Sequence, residues 1–377
     1  MPRVPRVLVA LLAAALPALP AVAAQHPNHV EGFQAERLYQ LGNLDSVNLF
    51  NGNLTVQIPV GQAYGTGGDF SYQLVLTYTG NVWEYETLQN PVDGHDKLMA
   101  VPRRSSNAGL GWRLSLGDLE DGYRSPDGAA HPLGSQLHLG GSTATGYSYS
   151  TDSTYLRLNS NVSPKILEFP DGTRKYFDAT NRLTQVADRF NNSLTVAYVA
   201  SAWSEIVHWK LTDSQGRIHW IYFKPAPAYG SVYRQGVVDK VVVTAFNGTT
   251  TTYTFGYSAT QVTRGLTDSS LSCLIASTTE TVPLLTSVSQ PDGTAFTFTY
   301  DPGPYHSPCA GGNLAFTDST SAHMTQMKLP TRGSMEWSWE YYLFPKKSER
   351  VGPIYVIPPA FSGPITPFTS SAGVIER

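Results

Sequence analysis

Residues 168–198, EFPDGTRKYFDATNRLTQVADRFNNSLTVAY, decide the fold class. Apolar and polar residues alternate as far as the turn at 170–172, and the alternation resumes after two further turns, near 178–181 and 191–192. Alternation with period two, interrupted by turn residues, is typical of β-hairpins in series. One hairpin buries too little surface to be stable alone in water, so this stretch predicts similar hairpins elsewhere in the chain.

The chain contains such hairpins. A unit of the form apolar-x-x-apolar, eight residues, and a strand ending in an aromatic residue occurs three times without a gap. Its copies span 183–198, 285–300 and 324–339. Looser copies lie at 209–223 and 238–257. Five related hairpins indicate a repeat protein in which each unit buries its apolar face against the next.

Composition agrees with this prediction. The 377 residues include 33 Gly, 26 Pro and 21 Tyr, with 41% hydrophobic and only 15% charged residues, which favours an all-β protein rich in turns. The formal net charge of -3 gives no electrostatic reason to expect a nucleic-acid partner, and that class of function is therefore excluded.

The first 24 residues have the pattern of a signal peptide. Arg3 and Arg6 precede an apolar run at 7–19, and small residues at 21–24 offer a cleavage site before Gln25. We therefore expect a secreted or cell-surface protein of bacterial type; an uncleaved membrane anchor is the alternative. Residues 25–36 are polar and unpatterned and are predicted to be a flexible lead.

Residues 37–120 are predicted to form an N-terminal β-region, similar to a sandwich, that precedes the repeats. Residues 47–50 run into the turn at 51–53, and residues 54–60 after it alternate strictly, which is a strong hairpin pattern. Residues 81–106 appear irregular and polar. In the glycine-rich stretch 109–117, Trp112 is the one large aromatic residue and is expected to anchor the fold.

Residues 121–342 are predicted to be the degenerate hairpin repeats. Their first part has Tyr147, Tyr149 and Tyr155 among many Ser and Thr residues. This composition favours a solvated sheet face, and a sugar-binding face is the alternative.

The run Glu168-Phe169-Pro170-Asp171-Gly172-Thr173-Arg174 and the residues that follow it resemble the Rhs/YD-repeat family. Family members have Asp-x-x-Gly-Arg and Gly-Asn turns before a Tyr-Asp pair. Phe177-Asp178 and Tyr300-Asp301 stand where that pair would be, and Asn192 replaces the usual glycine. Residues 50–59 and 109–114 resemble the region that precedes the repeats in exported members.

The resemblance implies stacked antiparallel hairpins that form part of a hollow β-shell. In many family members this shell encloses a variable C-terminal toxin released at a self-cleaving core. Asp301-Pro302-Gly303 is similar to the signature of that core, but it lacks the sequence that should follow, and we interpret it as a turn. Residues 343–377 are predicted to be a loop rich in Pro and Gly followed by an incomplete repeat, whose strand at 372–377 has no partner.

Motifs for catalysis, cofactor binding or metal binding are absent from the sequence, so no such residues are predicted. Cys273 and Cys309 follow the signal peptide and meet an oxidising compartment, where they either form a disulfide or remain two thiols.

The sequence thus predicts a non-catalytic, exported repeat protein, the first part of an Rhs-type shell whose partner is the downstream part of the same polypeptide. A surface glycan-binding or adhesion protein that uses Trp337, Trp339, Tyr341 and Tyr342 is the first alternative. A carbohydrate-active enzyme with two facing carboxylates is the second.

Overall fold

The computed structural model describes residues 31–34, 37–68, 70–89, 96–103, 105–119, 122–136, 145–200, 206–226, 236–268, 274–301, 322–343 and 370–377. The protein is all-β, as predicted.

The strands are numbered in chain order. They are β1 Tyr39–Leu41, β2 Asp45–Asn48, β3 Leu54–Gly67, β4 Phe70–Thr79, β5 Trp83–Gln89, β6 Asp96–Pro102, β7 Trp112–Leu114, β8 Tyr123–Arg124, β9 Ala130–His131, β10 Leu133–Gly134, β11 Tyr147–Ser150, β12 Arg157–Asn159, β13 Lys165–Glu168, β14 Arg174–Phe177, β15 Leu183–Ala187, β16 Ser193–Ala200, β17 Ile206–Asp213, β18 Ile218–Lys224, β19 Val237–Thr244, β20 Thr250–Asp268, β21 Leu274–Ser289, β22 Ala295–Tyr300, β23 Met324–Lys328, β24 Ser334–Glu336, β25 Ser338–Leu343 and β26 Ser370–Glu376. One turn of 3-10 helix, Phe246–Gly248, lies between β19 and β20.

The hairpins form one long sheet, here called the repeat sheet. From β10 to β24, each strand pairs antiparallel with the next strand in the chain. The β5–β6 hairpin joins this sheet where residues 97–99 pair with 266–268 of β20. The stacked-hairpin architecture predicted from the alternation is therefore confirmed.

A second sheet, here called the N-terminal sheet, has the strand order β1-β2-β3-β4-β7. It packs against one face of the repeat sheet, and its apolar side chains form one continuous core with those of β16 to β23. The apolar side chains of β13 to β15 belong to a second cluster. Backbone hydrogen bonds also join the two sheets, from Leu110 N to Pro283 O at 2.7 Å and from Val238 N to Asn107 O at 2.8 Å. This sheet-on-sheet arrangement matches the predicted sandwich-like region.

Alternation fixes which face of each strand enters the core. In β16, Leu194 and Val196 are buried whereas Thr195 and Ala197 are exposed. A slip of one residue would expose the apolar pair, so the hydrophobic pattern sets the register of the hairpin.

Trp112 anchors the two sheets, as expected. Its side chain is fully buried, and its Nε1 donates to Tyr300 Oη of the repeat sheet at 2.8 Å. The neighbouring Gly111 has φ +76, and a Cβ there would lie 2.6 Å from Val82 Cγ1. The glycine is required because the backbone must pass this close to its neighbours.

The prediction of an irregular segment at 81–106 is wrong. β5 and β6 pair along seven residues each, from Trp83 opposite Pro102 to Gln89 opposite Asp96. Alternation is limited to residues 83–86 of β5 and is absent from β6, so the period-two pattern that revealed the other hairpins is incomplete here.

The prediction of an unpaired strand at 372–377 is also wrong. β26 pairs antiparallel with β25, and Val374, which is buried, donates its backbone N–H to Gly52 O at 2.8 Å. The two strands are separated by 26 residues in the sequence, from 344 to 369. Hairpin patterns involve loops of only a few residues, so the sequence did not predict this pairing.

Part of the predicted flexible lead, residues 31–34, is docked onto the protein. The backbone N–H of Phe33 donates to Asp127 Oδ2 at 2.8 Å, and Tyr39 Oη donates to Gly32 O at 3.0 Å. Glu31 is buried and forms an ion pair with Arg103. The polar composition that suggested a flexible segment is explained at Glu31 by this buried ion pair.

Candidate functional site

Each repeat unit is closed by the aromatic residue at its end. The aromatic side chain donates a hydrogen bond to the backbone carbonyl of the first residue of its unit, fifteen positions earlier. These bonds are Tyr198 Oη to Leu183 O at 2.8 Å, Tyr300 Oη to Leu285 O at 2.7 Å and Trp339 Nε1 to Met324 O at 2.9 Å. The repeat deduced from the sequence therefore corresponds to a hydrogen bond that recurs in the structure.

The looser copies show how far this contact extends. In the unit at 238–257, Tyr257 Oη reaches Val238 O at 2.6 Å, across a longer separation. In the unit at 209–223 the terminal residue is Phe223, which has no donor group and packs against Trp209 with ring centroids 5.1 Å apart. The aromatic ring is thus common to all five units, and the hydrogen bond to four of them.

Three turns between the repeat strands share one aspartate geometry. The aspartate Oδ1 accepts the backbone N–H groups two and four positions later, and Oδ2 accepts from the side chain at the fourth position. The side-chain distances are Arg182 Nε to Asp178 Oδ2 3.0 Å, Asn192 Nδ2 to Asp188 Oδ2 2.7 Å and Arg217 Nε to Asp213 Oδ2 2.7 Å. The third position after the aspartate has positive φ, at Asn181, Asn191 and Gly216.

This geometry assigns a role to the turn residues. A side-chain oxygen that binds its own backbone two and four residues ahead pre-forms the turn, and the position at positive φ favours Gly or Asn. Asp213-Ser214-Gln215-Gly216-Arg217 has the form Asp-x-x-Gly-Arg. That motif was visible in the sequence and identifies the most deeply buried of these turns.

The turn at Asp213 is the centre of the best-formed polar cluster in the described part of the chain, here called the interface cluster. Tyr72 of β4 donates to Asp213 Oδ2 at 2.8 Å, and its hydroxyl lies 2.6 Å from His219 Nε2 of β18. His219 Nδ1 in turn accepts the backbone N–H of Thr244 at 3.1 Å. Because Nδ1 is an acceptor, the neutral ring carries its proton on Nε2 and donates it to Tyr72.

The electrostatics of the interface cluster follow from burial. The side chain of Asp213 has no exposed area, and His219 is fully buried. Burial lowers the pKa of His219 to about 4, against the attraction of Asp213, and raises the pKa of Tyr72. Burial would also raise the pKa of Asp213, but hydrogen bonds from Tyr72 and Arg217 lower it overall.

The interface cluster joins the two sheets. Arg217 reaches across to Gly65 O and Gln215 Nε2 to Thr66 O, while Tyr64 Oη donates to Thr244 O. Tyr72, Asp213 and His219 satisfy one another internally. The interface cluster can therefore stabilise the buried charge of Asp213 and fix the orientation of the two sheets relative to each other.

A second cluster surrounds Lys175 on β14. Its ammonium donates to Leu116 O at 2.8 Å and to Tyr123 Oη at 2.7 Å, and burial lowers the pKa of Lys175 to about 8. The ring of Tyr123 stacks on His131, whose Nδ1 lies 2.6 Å from Asp152 Oδ2. Lys175 thus connects the segment around β8 to the repeat sheet, because its ammonium donates two hydrogen bonds to residues of that segment.

A small polar cleft lies where the N-terminal segment docks. Its lining includes Glu31, Thr77, Arg103, Ser106 and Asp127. In the described part of the chain, Thr77 Oγ1 is buried without a hydrogen-bond partner, so a water molecule can bind to this hydroxyl.

Of the four residues predicted for glycan binding, the structure describes the side chains of Trp337 and Trp339. Trp337 is buried and donates its Nε1 to Asp45 Oδ2 at 3.2 Å, and Trp339 lies against His323 with ring centroids 4.6 Å apart and planes tilted by 45°. The indole of Trp337 belongs to the core, and that of Trp339 is partly buried against it. Tyr341 and Tyr342 lie in β25, and their side chains are outside the described part.

The three tyrosines of the first repeats are divided between two elements. Tyr147 and Tyr149 lie on one face of β11, and Tyr155, which is 79% exposed, lies in the connection to β12. Arg157 lies over the ring of Tyr147 at 5.7 Å. The sugar-binding alternative for these residues stays a prediction.

Several predicted features fall outside the described residues: the signal peptide at 1–24, Pro302 and Gly303, and both cysteines, Cys273 and Cys309. Within the described ranges, no helix is long and apolar enough to span a membrane, and no group of three or more His, Cys, Asp or Glu side chains is placed to hold a metal ion.

No protein-family model matches the sequence, and no curated protein matches it.

Proposed function

We propose that the protein is the first part of an exported, non-catalytic, Rhs-type β-shell that encapsulates or displays a module encoded further downstream. The observation that carries this proposal is the hydrogen bond repeated at a spacing of fifteen residues in three hairpins. It shows a sheet built by adding equivalent units.

The turn chemistry supports the same proposal. The Asp-x-x-Gly-Arg form at 213–217 and the Asp-x-x-Asn-Arg form at 178–182 correspond to the turn that the resemblance implies, with each residue in a defined role. Because Asp pre-forms the turn and Arg closes it, the motif can recur along a wall without depending on a ligand.

The N-terminal sheet supports the idea of a starting unit. It covers one face of the repeat sheet between β16 and β23 and shares one core with it. Because the N-terminal sheet buries the apolar face of these hairpins, they have a core before any downstream unit is added.

Export by the N-terminal 24 residues and a partner in the downstream polypeptide belong to this proposal. The direct test is the coding sequence beyond Arg377, followed by electron microscopy of the product of the complete reading frame. We expect further hairpin units, a self-cleaving core and hollow particles. A stop codon at this point, with solid particles of the present chain, would refute the shell.

The enzyme alternative has its own test. Purified mature protein is assayed against a panel of polysaccharides, with matched carboxylate-to-amide variants. Hydrolysis that one such variant abolishes would overturn the non-catalytic assignment.

A further inference from the structure

The outer face of the repeat sheet carries a compact group of aromatic and basic side chains on β17, β18 and β19, here called the aromatic face. It consists of His208, Lys210, Trp220, Tyr222 and Lys240. All five are partly exposed, whereas the alternate residues of the same strands, such as Leu211, Ile221 and Val241, are fully buried. The aromatic face thus lies on the side of the sheet opposite the core.

Strand register brings these side chains together. His208 lies directly opposite Tyr222, Lys210 opposite Trp220, and Lys240 opposite Tyr222 on the other side. Directly opposite residues have neighbouring Cβ atoms, so the five side chains form one surface across three strands.

The rings form a short platform with a cation at each side. The planes of Trp220 and Tyr222 are within 24° of parallel, with centroids 6.2 Å apart, and the His208 centroid lies 5.2 Å and 5.5 Å from theirs. Lys210 Nζ lies 5.5 Å from the Trp220 centroid, and Lys240 Nζ lies 5.0 Å from that of Tyr222.

The charge of the aromatic face is opposite in sign to that of the whole protein. The formal net charge of the chain is -3, yet in the part that the structure describes neither Lys210 nor Lys240 has an ion-pair partner. The neighbouring carboxylate, Asp239, is paired with Lys224 at 3.0 Å. Two ammonium groups therefore remain available to an anion beside exposed aromatic edges.

We propose that the aromatic face binds an acidic polysaccharide, a chain of pyranose rings that carry carboxylates. Charge complementarity commits the site to an anion, and the two lysines lie on either side of the rings, where each can meet a carboxylate of the same polysaccharide chain. The apolar faces of sugar rings pack on aromatic side chains that also keep a polar edge. The site is independent of the shell proposal, because it needs only β17 to β19.

A nucleic-acid strand is the competing ligand because bases also stack on aromatic rings. It requires a basic groove that follows the phosphate backbone, whereas the aromatic face offers two lysines on an otherwise acidic protein. The test below separates these ligands.

The test measures binding of the mature protein to a polygalacturonate oligosaccharide by calorimetry. Lys210→Gln/Lys240→Gln should weaken binding at least about tenfold, because each lysine loses its charge and keeps most of its length. Trp220→Thr should weaken it to a similar extent through lost stacking. The fully methyl-esterified oligosaccharide, which has the same rings without the charge, should bind at least about tenfold more weakly.

The matched control is Arg174→Gln/Lys328→Gln, which removes the same two charges from exposed positions on β14 and β23. It should change the affinity by less than about twofold. Failure of the wild-type protein to bind, equal losses in the control, or tighter binding of an oligothymidylate of equal length would each overturn the proposal. If Trp220→Thr does not fold, the comparison of Lys210→Gln/Lys240→Gln with the control Arg174→Gln/Lys328→Gln decides the outcome.

Discussion

Two copies of the same turn lie in opposite environments. In the turn at 178–182, the side chains of Asp178 and Arg182 are 26% and 43% exposed, and in the turn at 213–217 those of Asp213 and Arg217 are 0% and 27% exposed. The aspartate binds the same two backbone N–H groups and the same arginine atom in both.

The difference lies in what covers each turn. Asp213 also accepts the hydroxyl of Tyr72 from the N-terminal sheet, whereas the described contacts of the Asp178 side chain are all local. The motif forms the turn in both copies. In the copy at Asp213, the covering N-terminal sheet adds a hydrogen bond that connects the two sheets. The same substitution should therefore have unequal effects in the two copies.

The largest expected effect is that of Asp213→Ala. It leaves two backbone N–H groups, Tyr72 and the Arg217 charge without their acceptor, so the free energy of unfolding should fall by about 3 kcal/mol or more. Asp178→Ala, the matched change, exposes its partners to water and should cost about 1 kcal/mol. Urea unfolding of both variants measures the difference, and equal losses would contradict the comparison.

The second prediction concerns pH. The pKa of His219 is about 4 in the folded protein and about 6.5 when unfolded, so the unfolded chain binds this proton first as pH falls. Stability should decline between pH 6.5 and 4, by up to about 3 kcal/mol from this residue. Asp213, whose pKa is lowered, stays ionised in this range.

His219→Gln serves as the control for that decline. It removes the titrating group while keeping an acceptor for Thr244 N–H, so its stability should vary less with pH over the same range than that of the wild type. Parallel pH profiles for the two proteins would show that other groups cause the decline.

The third prediction applies the same comparison to the repeated aromatic bond. Tyr300 Oη donates to Leu285 O and accepts from the buried Trp112 of the N-terminal sheet, while Tyr198 Oη donates to Leu183 O. Tyr300→Phe should cost about 2 kcal/mol and Tyr198→Phe about 1 kcal/mol, because the first leaves two buried groups without partners. Thermal unfolding of the pair tests this ranking, and a larger loss for Tyr198→Phe would reverse it.

The smallest expected effect is at the position of positive φ. Gly216 has φ +79, and no atom lies within 4 Å of where its Cβ would be, so Gly216→Ala should cost only the conformational term of about 1 kcal/mol. Asn191→Gly, at φ +66, should change stability by less than about 0.5 kcal/mol. Chemical denaturation measures the cost of Gly216→Ala. A cost above that of Tyr300→Phe would show that the added methyl group disturbs more than the backbone conformation of the turn.

Prediction from sequence succeeded where a pattern is local. Strict alternation and turn residues located the hairpins from 168 to 198, and a fixed spacing located the units that Tyr198, Tyr300 and Trp339 close. It failed where pairing depends on distant segments, as for β26 on β25, or where alternation is weak, as in β5 and β6. A strand partner far along the chain leaves no trace in a short window.

The candidate sites divide in the same way. The aspartate turns could be found in the sequence, because their residues are at most four positions apart. The interface cluster could not, since Tyr72 and Asp213 are 141 positions apart and meet only when the two sheets pack. The spacing of Trp337 and Trp339 follows the strand period and favoured an inward-facing position over glycan binding, but only the packing shows that Trp337 is buried beside Asp45 and that Trp339 is partly buried.

The sequence by itself determined that this protein is a series of β-hairpins with a repeated unit, because side-chain alternation and turn geometry act over a few residues. Only the tertiary structure decided which copies are covered by the N-terminal sheet, which aspartate is buried, and which aromatic residues face outward on β17 to β19. Those outcomes depend on how two sheets stack, and burial then sets the pKa of His219 and the energetic weight of each otherwise equivalent turn.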